Sequence, residues 1–234
     1  MTAAAPFALL FDLDGTLVDT DALHLAAWNG VLAGEGLPPL GIEAYRARVM
    51  GFDADAVTGA LFPGRPLGER RALTAAKEAA FRAAVSGEGA RLDPLPGAVA
   101  LLDRADAAGV PKAVVTNAPR GNAGLVLRAL GLADRFDALV IGGELARAKP
   151  DPLPYATGLA LLGATADRAL AFEDSAAGAR SASAAGIETV GLLTSLDAAA
   201  LRAAGAAHVA RDYDDPALRA LVEARLLAAA GGGP

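Results

Sequence analysis

A chain of 234 residues with 53% hydrophobic and 21% charged residues has a globular balance, and suits one large domain or a domain with an insertion. A formal net charge of -6 without any basic run excludes a general nucleic-acid or anionic-membrane binder, although one cleft can still take an anion. Cysteine is absent and the only histidines are His24 and His208, which removes disulfide frameworks, cysteine nucleophiles, thiolate zinc sites and histidine-rich metal centres.

The first apolar run, residues 7–11, is too short for a signal peptide. No stretch of about 20 uncharged apolar residues offers a membrane span. The expectation is a cytoplasmic protein with no membrane, nucleic-acid or obligate protein partner. Residues 7–11 are continuously apolar rather than alternating, as in a strand buried on both faces of a parallel sheet. That strand leaves the core as Phe11-Asp12-Leu13-Asp14-Gly15-Thr16-Leu17. Two acids two residues apart in extended chain project to one side, and Gly15 then lets the backbone turn. Acids at the end of an apolar strand are costly unless a cation meets them. A surface Asp-Gly turn is the plain alternative. An EF-hand loop fails, because its alternating acids and preceding helix are missing.

From 19 to 93 no strand pattern stands out. Helical patterns cover 23–32, 42–49 and 68–85, punctuated by Gly- and Pro-rich loops at 34–41, 62–68 and 93–97. An insertion placed directly after the first strand would lie over the carboxyl ends of the strands, where open α/β sheets bind ligands.

Alternation then begins. A strand over 113–115 ends in Thr116-Asn117, whose hydroxyl and amide can meet phosphate oxygens beside a helix N-terminus, or simply form a helix entry. A helix follows over 122–130, closed by Gly131, and a strand over 138–141. Next stands Ala148-Lys149-Pro150-Asp151-Pro152. Asp151 and Pro152 suit a helix start, over 153–162, but Lys149 has no such structural reason. A strand over 169–172 ends in Glu173-Asp174-Ser175, where Ser175 can cap the helix over 176–185 ahead of Gly186. Strands over 189–193 and, weakly, 208–210 follow, with a frayed tail expected over 228–234.

These elements predict an α/β fold: a Rossmann-like parallel-sheet core with helices on both faces (1–18 and 94–234), carrying an all-helical cap over 19–93. In a parallel sheet the strand ends share one edge, so Asp12, Asp14, Thr116, Lys149, Glu173 and Asp174 should converge. Carboxylates so gathered repel one another without a cation, and oxygen ligands free of His or Cys nominate Mg²⁺.

Taken together, the four segments resemble, in order and over nearly the whole chain, the four motifs of the haloacid dehalogenase superfamily. The likeness is to its capped phosphatases and β-phosphoglucomutase-like members. The fourth motif reads Phe172-Glu173-Asp174-Ser175, with Gly178, Ser181, Ala182, Ala185 and Gly186 behind it. The resemblance implies an Mg²⁺-dependent phosphoric monoester hydrolase acting on a small phosphorylated metabolite, of the phosphoglycolate or sugar phosphate type. Asp12 would be the nucleophile forming an aspartyl-phosphate and Asp14 the general acid and base, with its main-chain carbonyl on the metal. Thr116, Asn117 and Lys149 would bind phosphate, and Asp12, Asp14, Glu173 and Asp174 would hold Mg²⁺.

In the cap, His24 and Trp28 match a pair found in β-phosphoglucomutases and some sugar-phosphate phosphatases. Lys77 matches a cap lysine facing the active site, while Trp28 also suits helix packing and His208 a structural role. The arginine by which β-phosphoglucomutases grip a second phosphate should follow Met50-Gly51-Phe52, where this chain has Asp53-Ala54-Asp55. That favours a phosphatase over a mutase. A dehalogenase proper would lack Asp14, and a non-catalytic metabolite-binding protein would release no phosphate.

Overall fold

Strand β1 (Ala8–Phe11) is wholly buried, and its residues alternate between two apolar layers. Leu9 and Phe11 pack into one cluster with Val114, Leu170 and Phe172; Ala8 and Leu10 join the other with Ala113, Val115 and Ala171. A period of two with both sides apolar is what a central parallel strand requires, and it explains the unbroken hydrophobic run. The computed structural model describes residues 5–50, 52, 54–87 and 89–231.

Among them, β1 is followed by four helices, α1 (Asp21–Gly34), α2 (Ile42–Arg48), α3 (Ala54–Leu61) and α4 (Leu67–Ser86). The α/β alternation then runs α5 (Ala98–Ala107), β2 (Lys112–Thr116), α6 (Arg120–Ala129), β3 (Ala138–Ile141), α7 (Leu153–Leu162), β4 (Ala169–Glu173) and α8 (Ala176–Ala184). It closes with β5 (Glu188–Leu192), α9 (Ala198–Ala203), β6 (His208–Ala210) and α10 (Pro216–Gly231). The strands form one six-stranded sheet ordered β3-β2-β1-β4-β5-β6, every pair parallel. The chain builds outward from β1 on one side, then returns to build on the other. The crevice above β1, between the ends of β2 and β4, is the topological switch point where such sheets bind ligands.

Register carries the core up to that crevice. Phe11 lies opposite Val114 on one side and Phe172 on the other. The Phe11 and Phe172 rings stack with centroids 4.8 Å apart, so truncating either to Ala would cost about 3–5 kcal/mol. Helices α1 to α4 gather a separate apolar cluster of Trp28, Leu32, Tyr45, Val49, Val57, Leu61 and Phe62. On α4 the four-residue spacing of Lys77, Phe81 and Val85 puts all three on its buried face.

Several expectations need adjusting. Helix α3, at Ala54–Leu61, was not anticipated. The helix placed over 68–85 spans Leu67–Ser86, and the first cap helix starts at Asp21 rather than 23. The tail expected from 228 is helical through Gly231 within α10; residues 232–234 lie outside the described residues. Pro152 takes the cap position of α7 instead of its first turn, and Asp151 Oδ1 accepts the Leu153 N–H at 2.9 Å. Ser175 caps α8 as expected, accepting the Gly178 N–H at 3.0 Å.

Candidate active site

A cavity of about 360 Å³ opens at the switch point, with Asp12, Asp14, Thr116, Asn117, Lys149 and Asp174 in its wall and His24 and Lys77 facing them from α1 and α4. The Asp12 N–H donates to the Phe172 carbonyl at 3.0 Å, so ladder pairing with β4 runs one residue past β1 and fixes Asp12 beside Glu173 and Asp174. Gly15 makes the turn that follows. Its φ of 76° suits glycine, and a Cβ there would lie 2.0 Å from Asp174 Oδ2. The loop after Asp14 therefore rests directly against the β4 acids.

Lys149 is buried, and its Nζ lies 2.7 Å from Asp12 Oδ1 and 2.5 Å from Glu173 Oε1. Glu173 sits fully buried behind the cavity, where it also accepts the Tyr155 hydroxyl at 2.6 Å and the Ser175 hydroxyl at 3.4 Å. Burial disfavours the Lys149 charge, but the carboxylates of Asp12 and Glu173 outweigh it and hold the ammonium above its ordinary range. One ammonium facing Asp12, Glu173 and Asp174 leaves an excess of negative charge. Asp12 is accordingly pushed up from 3.8 to about 7, by burial first, against the pull of Lys149 and with the repulsion of Glu173. Burial also drives Asp174 far above the carboxylate range, helped by Asp12 and Glu173. Ser195 donates to Asp174 Oδ2, and Thr16 Oγ1 lies 3.4 Å from Oδ1.

Asp14 has a different environment. Its Oδ1 accepts the Thr20 hydroxyl at 2.6 Å and lies 3.5 Å from His24 Nε2. Burial would raise its carboxyl, yet the hydrogen bonds and charge of His24, with Thr20 and Lys77, leave it below the usual range. Lys77 Nζ lies 2.8 Å from His24 Nδ1. The His24 ring stacks on Phe81 at 4.0 Å between centroids, nearly parallel. Lys77 also donates to Glu78 at 3.0 Å, and the Asn122 amide donates to the other Glu78 oxygen. The buried Trp28 belongs to the helical cluster and also borders the cavity.

Some residues have other duties. Asn117 spends both ends of its amide on the Lys149 main chain, its Oδ1 accepting the N–H and its Nδ2 donating to the carbonyl, each at 3.2 Å. It fixes the lysine loop while bordering the cavity. Of Asp53-Ala54-Asp55, Asp53 lies outside the described residues, as does Gly51. The Asp55 carboxylate turns to Arg71 at 3.6 Å, so its charge does not line the cavity. His208 pairs with Glu188 at 2.8 Å, away from the site.

The sequence reading missed Thr20, Asp21, Tyr45, Tyr155 and Ser195. Ser195 follows the end of β5, so the strand-end rule applied to that strand would have found it. Tyr155, on α7, and Tyr45, on α2, carry no such signal.

Asp12, Glu173 and Asp174 each offer an oxygen within 4.8 Å of the others. Buried hard-oxygen donors with surplus negative charge, pressed together by a glycine turn, fit a divalent cation. The Asp14 carboxylate stands outside that group, against Thr20 and His24. Among the described residues no helix is long and apolar enough to cross a membrane.

A family model described as haloacid dehalogenase-like hydrolase matches residues 8–186. A phosphoglycolate phosphatase of Rhodospirillum rubrum is 39% identical over 79% of this chain and 78% of its own length. A validoxylamine A 7'-phosphate phosphatase of Streptomyces hygroscopicus is 35% identical over 82% of this chain and 88% of its own. Among solved structures, CbbY of Rhodobacter sphaeroides in complex with xylulose-(1,5)bisphosphate superposes with a TM-score of 0.76 at 27% identity, covering 89% of this chain and 95% of that one.

Proposed function

Since this chain belongs to the haloacid dehalogenase-like hydrolases, we propose that it is a phosphatase that hydrolyses a small phosphomonoester through an aspartyl-phosphate on Asp12, with Mg²⁺. The observation that carries this reading is the division of the two acids after β1. Asp12 is tied to Lys149 beside Glu173 and Asp174, whereas Asp14 is held by Thr20 and His24.

In the first step an Asp12 oxygen attacks phosphorus and the bond to the ester oxygen breaks, the leaving oxygen taking a proton from Asp14. Lys149 and the Thr116 hydroxyl hold the transferring group while charge spreads over its equatorial oxygens. The negative charge of an arriving phosphate raises the Asp14 carboxyl from its low resting value, which suits it to donate. In the second step Asp14, again a carboxylate, takes a proton from the water that attacks phosphorus and frees Asp12. A bound Mg²⁺ would offset the repulsion among Asp12, Asp174 and the phosphate oxygens and keep Asp12 ionised. Asp12 and Asp174 would hold it with Glu173 behind them, and the Asp14 main-chain carbonyl is the further ligand that the family likeness suggests.

Residues 19–93 act in this reading as a cap over the site, which their own apolar cluster supports, and opening of that cap would admit substrate. Water, not a second sugar hydroxyl, discharges Asp12. No arginine to grip a second phosphate stands among the described cavity residues.

The test is phosphate release from p-nitrophenyl phosphate and a panel of small monoesters, with Mg²⁺ and with chelator. Turnover is expected only with the metal and is expected to vanish in Asp12→Asn. Near-normal release by that variant would sink the mechanism.

A further inference from the structure

Beyond the acid cluster and Lys149, the cavity is lined by Asp21, Trp28, Tyr45, Val49, Phe52 and Glu78, with Asp21 next to Ser195. These residues combine apolar groups with the carboxylate acceptors of Asp21 and Glu78. Few of the cavity's groups are cationic: among the described lining residues they are Lys149, Lys77 and, when protonated, His24. Lys149 is committed to Asp12 and Glu173. Lys77 is buried, donates to Glu78 at 3.0 Å, and has its Nζ 2.8 Å from His24 Nδ1. His24 uses its other nitrogen toward Asp14. Arg82, also on α4, donates to Asn122 Oδ1 at 3.0 Å and does not line the cavity.

We propose that the leaving group accepted here is uncharged and hydroxyl-bearing with one apolar face, and that Glu78 enforces this choice by occupying Lys77. The proposal rests on the phosphatase reading above. A carboxylate or second phosphate on the leaving group would meet Asp21 and Glu78 with no free cation to receive it. Like charges in a half-buried cleft are poorly screened, so such a group is rejected rather than merely unrewarded. A hydroxyl can instead donate to Asp21, whose Oδ1 takes only a long 3.3 Å bond from Tyr45 and whose Oδ2 lies 3.4 Å from the Ser195 hydroxyl that donates to Asp174. The C–H face of a sugar or cyclitol suits Trp28 and Val49, and a cavity of about 360 Å³ holds far more than a two-carbon acid. Asn122 keeps Glu78 in place through a direct hydrogen bond, so the Lys77–Glu78 pair is braced from the α6 side.

The experiment compares kcat/KM for glucose 6-phosphate and glycerol phosphate with that for 2-phosphoglycolate and fructose 1,6-bisphosphate, using p-nitrophenyl phosphate as the reference. The neutral leaving groups should lead the anionic ones by on the order of 10²-fold. Glu78→Gln keeps the amide contact to Asn122 but frees the Lys77 charge. It should raise the anionic esters relative to the neutral ones by about tenfold, mainly through KM. Thr74→Lys, which places a new cation on the same lining face of α4, should move the ratio in the same direction and stands in if Glu78→Gln does not fold. Hydrolysis of the reference ester with 2-phosphoglycolate or the bisphosphate equal to or ahead of the neutral esters would overturn the proposal. So would a ratio unmoved by either folded variant. Failure to hydrolyse the reference ester would sink the phosphatase reading itself, and this inference with it.

Discussion

Replacing Asp12 by asparagine should destroy turnover and yet stabilise the metal-free protein. Asp12 is buried beside Glu173 and Asp174, with Lys149 shared between Asp12 and Glu173, and its carboxyl rises from 3.8 to about 7. A carboxyl with a raised folded value contributes stability that is fully present below its unfolded value and is lost as pH rises through the folded one. The window here runs from about pH 4 to pH 7 or just above. At 1.36 kcal/mol per pKa unit, the ionised group costs the metal-free fold roughly 4 kcal/mol at pH 8. Asparagine keeps the shape and can still accept from Lys149, but never carries the charge.

Urea unfolding in chelator should therefore show the variant ahead of wild type at pH 8. With a slope of about 2–3 kcal/mol/M, the midpoints would differ by roughly 1.5 M. The gap should close as pH falls toward 4, and shrink on adding Mg²⁺, since a cation relieves the wild-type repulsion that asparagine removes. Phosphate release by the variant should fall by roughly 10⁴-fold or more, as for loss of a nucleophile. A variant less stable than wild type in chelator at pH 8, or a gap independent of pH, would refute the charge argument even if activity were lost.

Ser195→Ala removes the hydroxyl that donates to Asp174. The Mg²⁺ concentration for half-maximal activity should rise about 10–100-fold, and an unchanged activation curve would deny Ser195 that role. Gly15→Ala puts a side chain at φ 76° with its Cβ aimed 2.0 Å from Asp174 Oδ2. Both melting temperature and activity should drop, the backbone alone costing about 1–2 kcal/mol, and wild-type values for both would contradict the geometry. Asp14→Asn should lower kcat by about 10²–10⁴-fold without altering Mg²⁺ activation, because that carboxylate stands apart from the Asp12, Glu173 and Asp174 cluster. Steady-state assays at several metal concentrations check both parts.

The core site was legible because all of its parts but Lys149 lie at or just past a strand end. Apolar runs at 7–11, 113–115 and 169–172 located β1, β2 and β4, and the polar residue after each run is one that borders the crevice or stands behind it. What escaped were contacts made between elements without sequence rhythm. Tyr155 reaches Glu173 from α7, and Thr20 reaches Asp14 from the turn before α1. Asn117 looked like a phosphate ligand because of its position at a strand end, yet its amide is turned to the main chain of Lys149. Helix α3 was hidden because Asp53-Ala54-Asp55 has the composition of a loop. Its residues Val57 and Leu61 find their apolar partners only in the other cap helices.

The sheet order gives the physical reason for the site's position. The next strand after β1 lies on one side of it, while the later strands return to the other. The crossover from β2 therefore runs to the opposite side of β1 from β4, and the crevice over β1 receives side chains from three strand ends at once. Those side chains bring carboxylates from β1 and β4 and a hydroxyl from β2, so the gap is negative before Lys149 arrives from the loop beyond β3. A single ammonium buried at such a point partly neutralises Asp12 and Glu173, and Asp174 gets a hydrogen bond from Ser195 instead of a positive charge. The remaining negative charge is what a divalent cation can neutralise. Asp14 escapes this competition by turning toward α1, where Thr20 and His24 receive it. Two acids separated by one leucine thus acquire opposite proton affinities, Asp12 high and Asp14 low. That resting order is the reverse of what the proposed first step uses, and a cation on Asp12 with an anionic phosphate beside Asp14 would invert it.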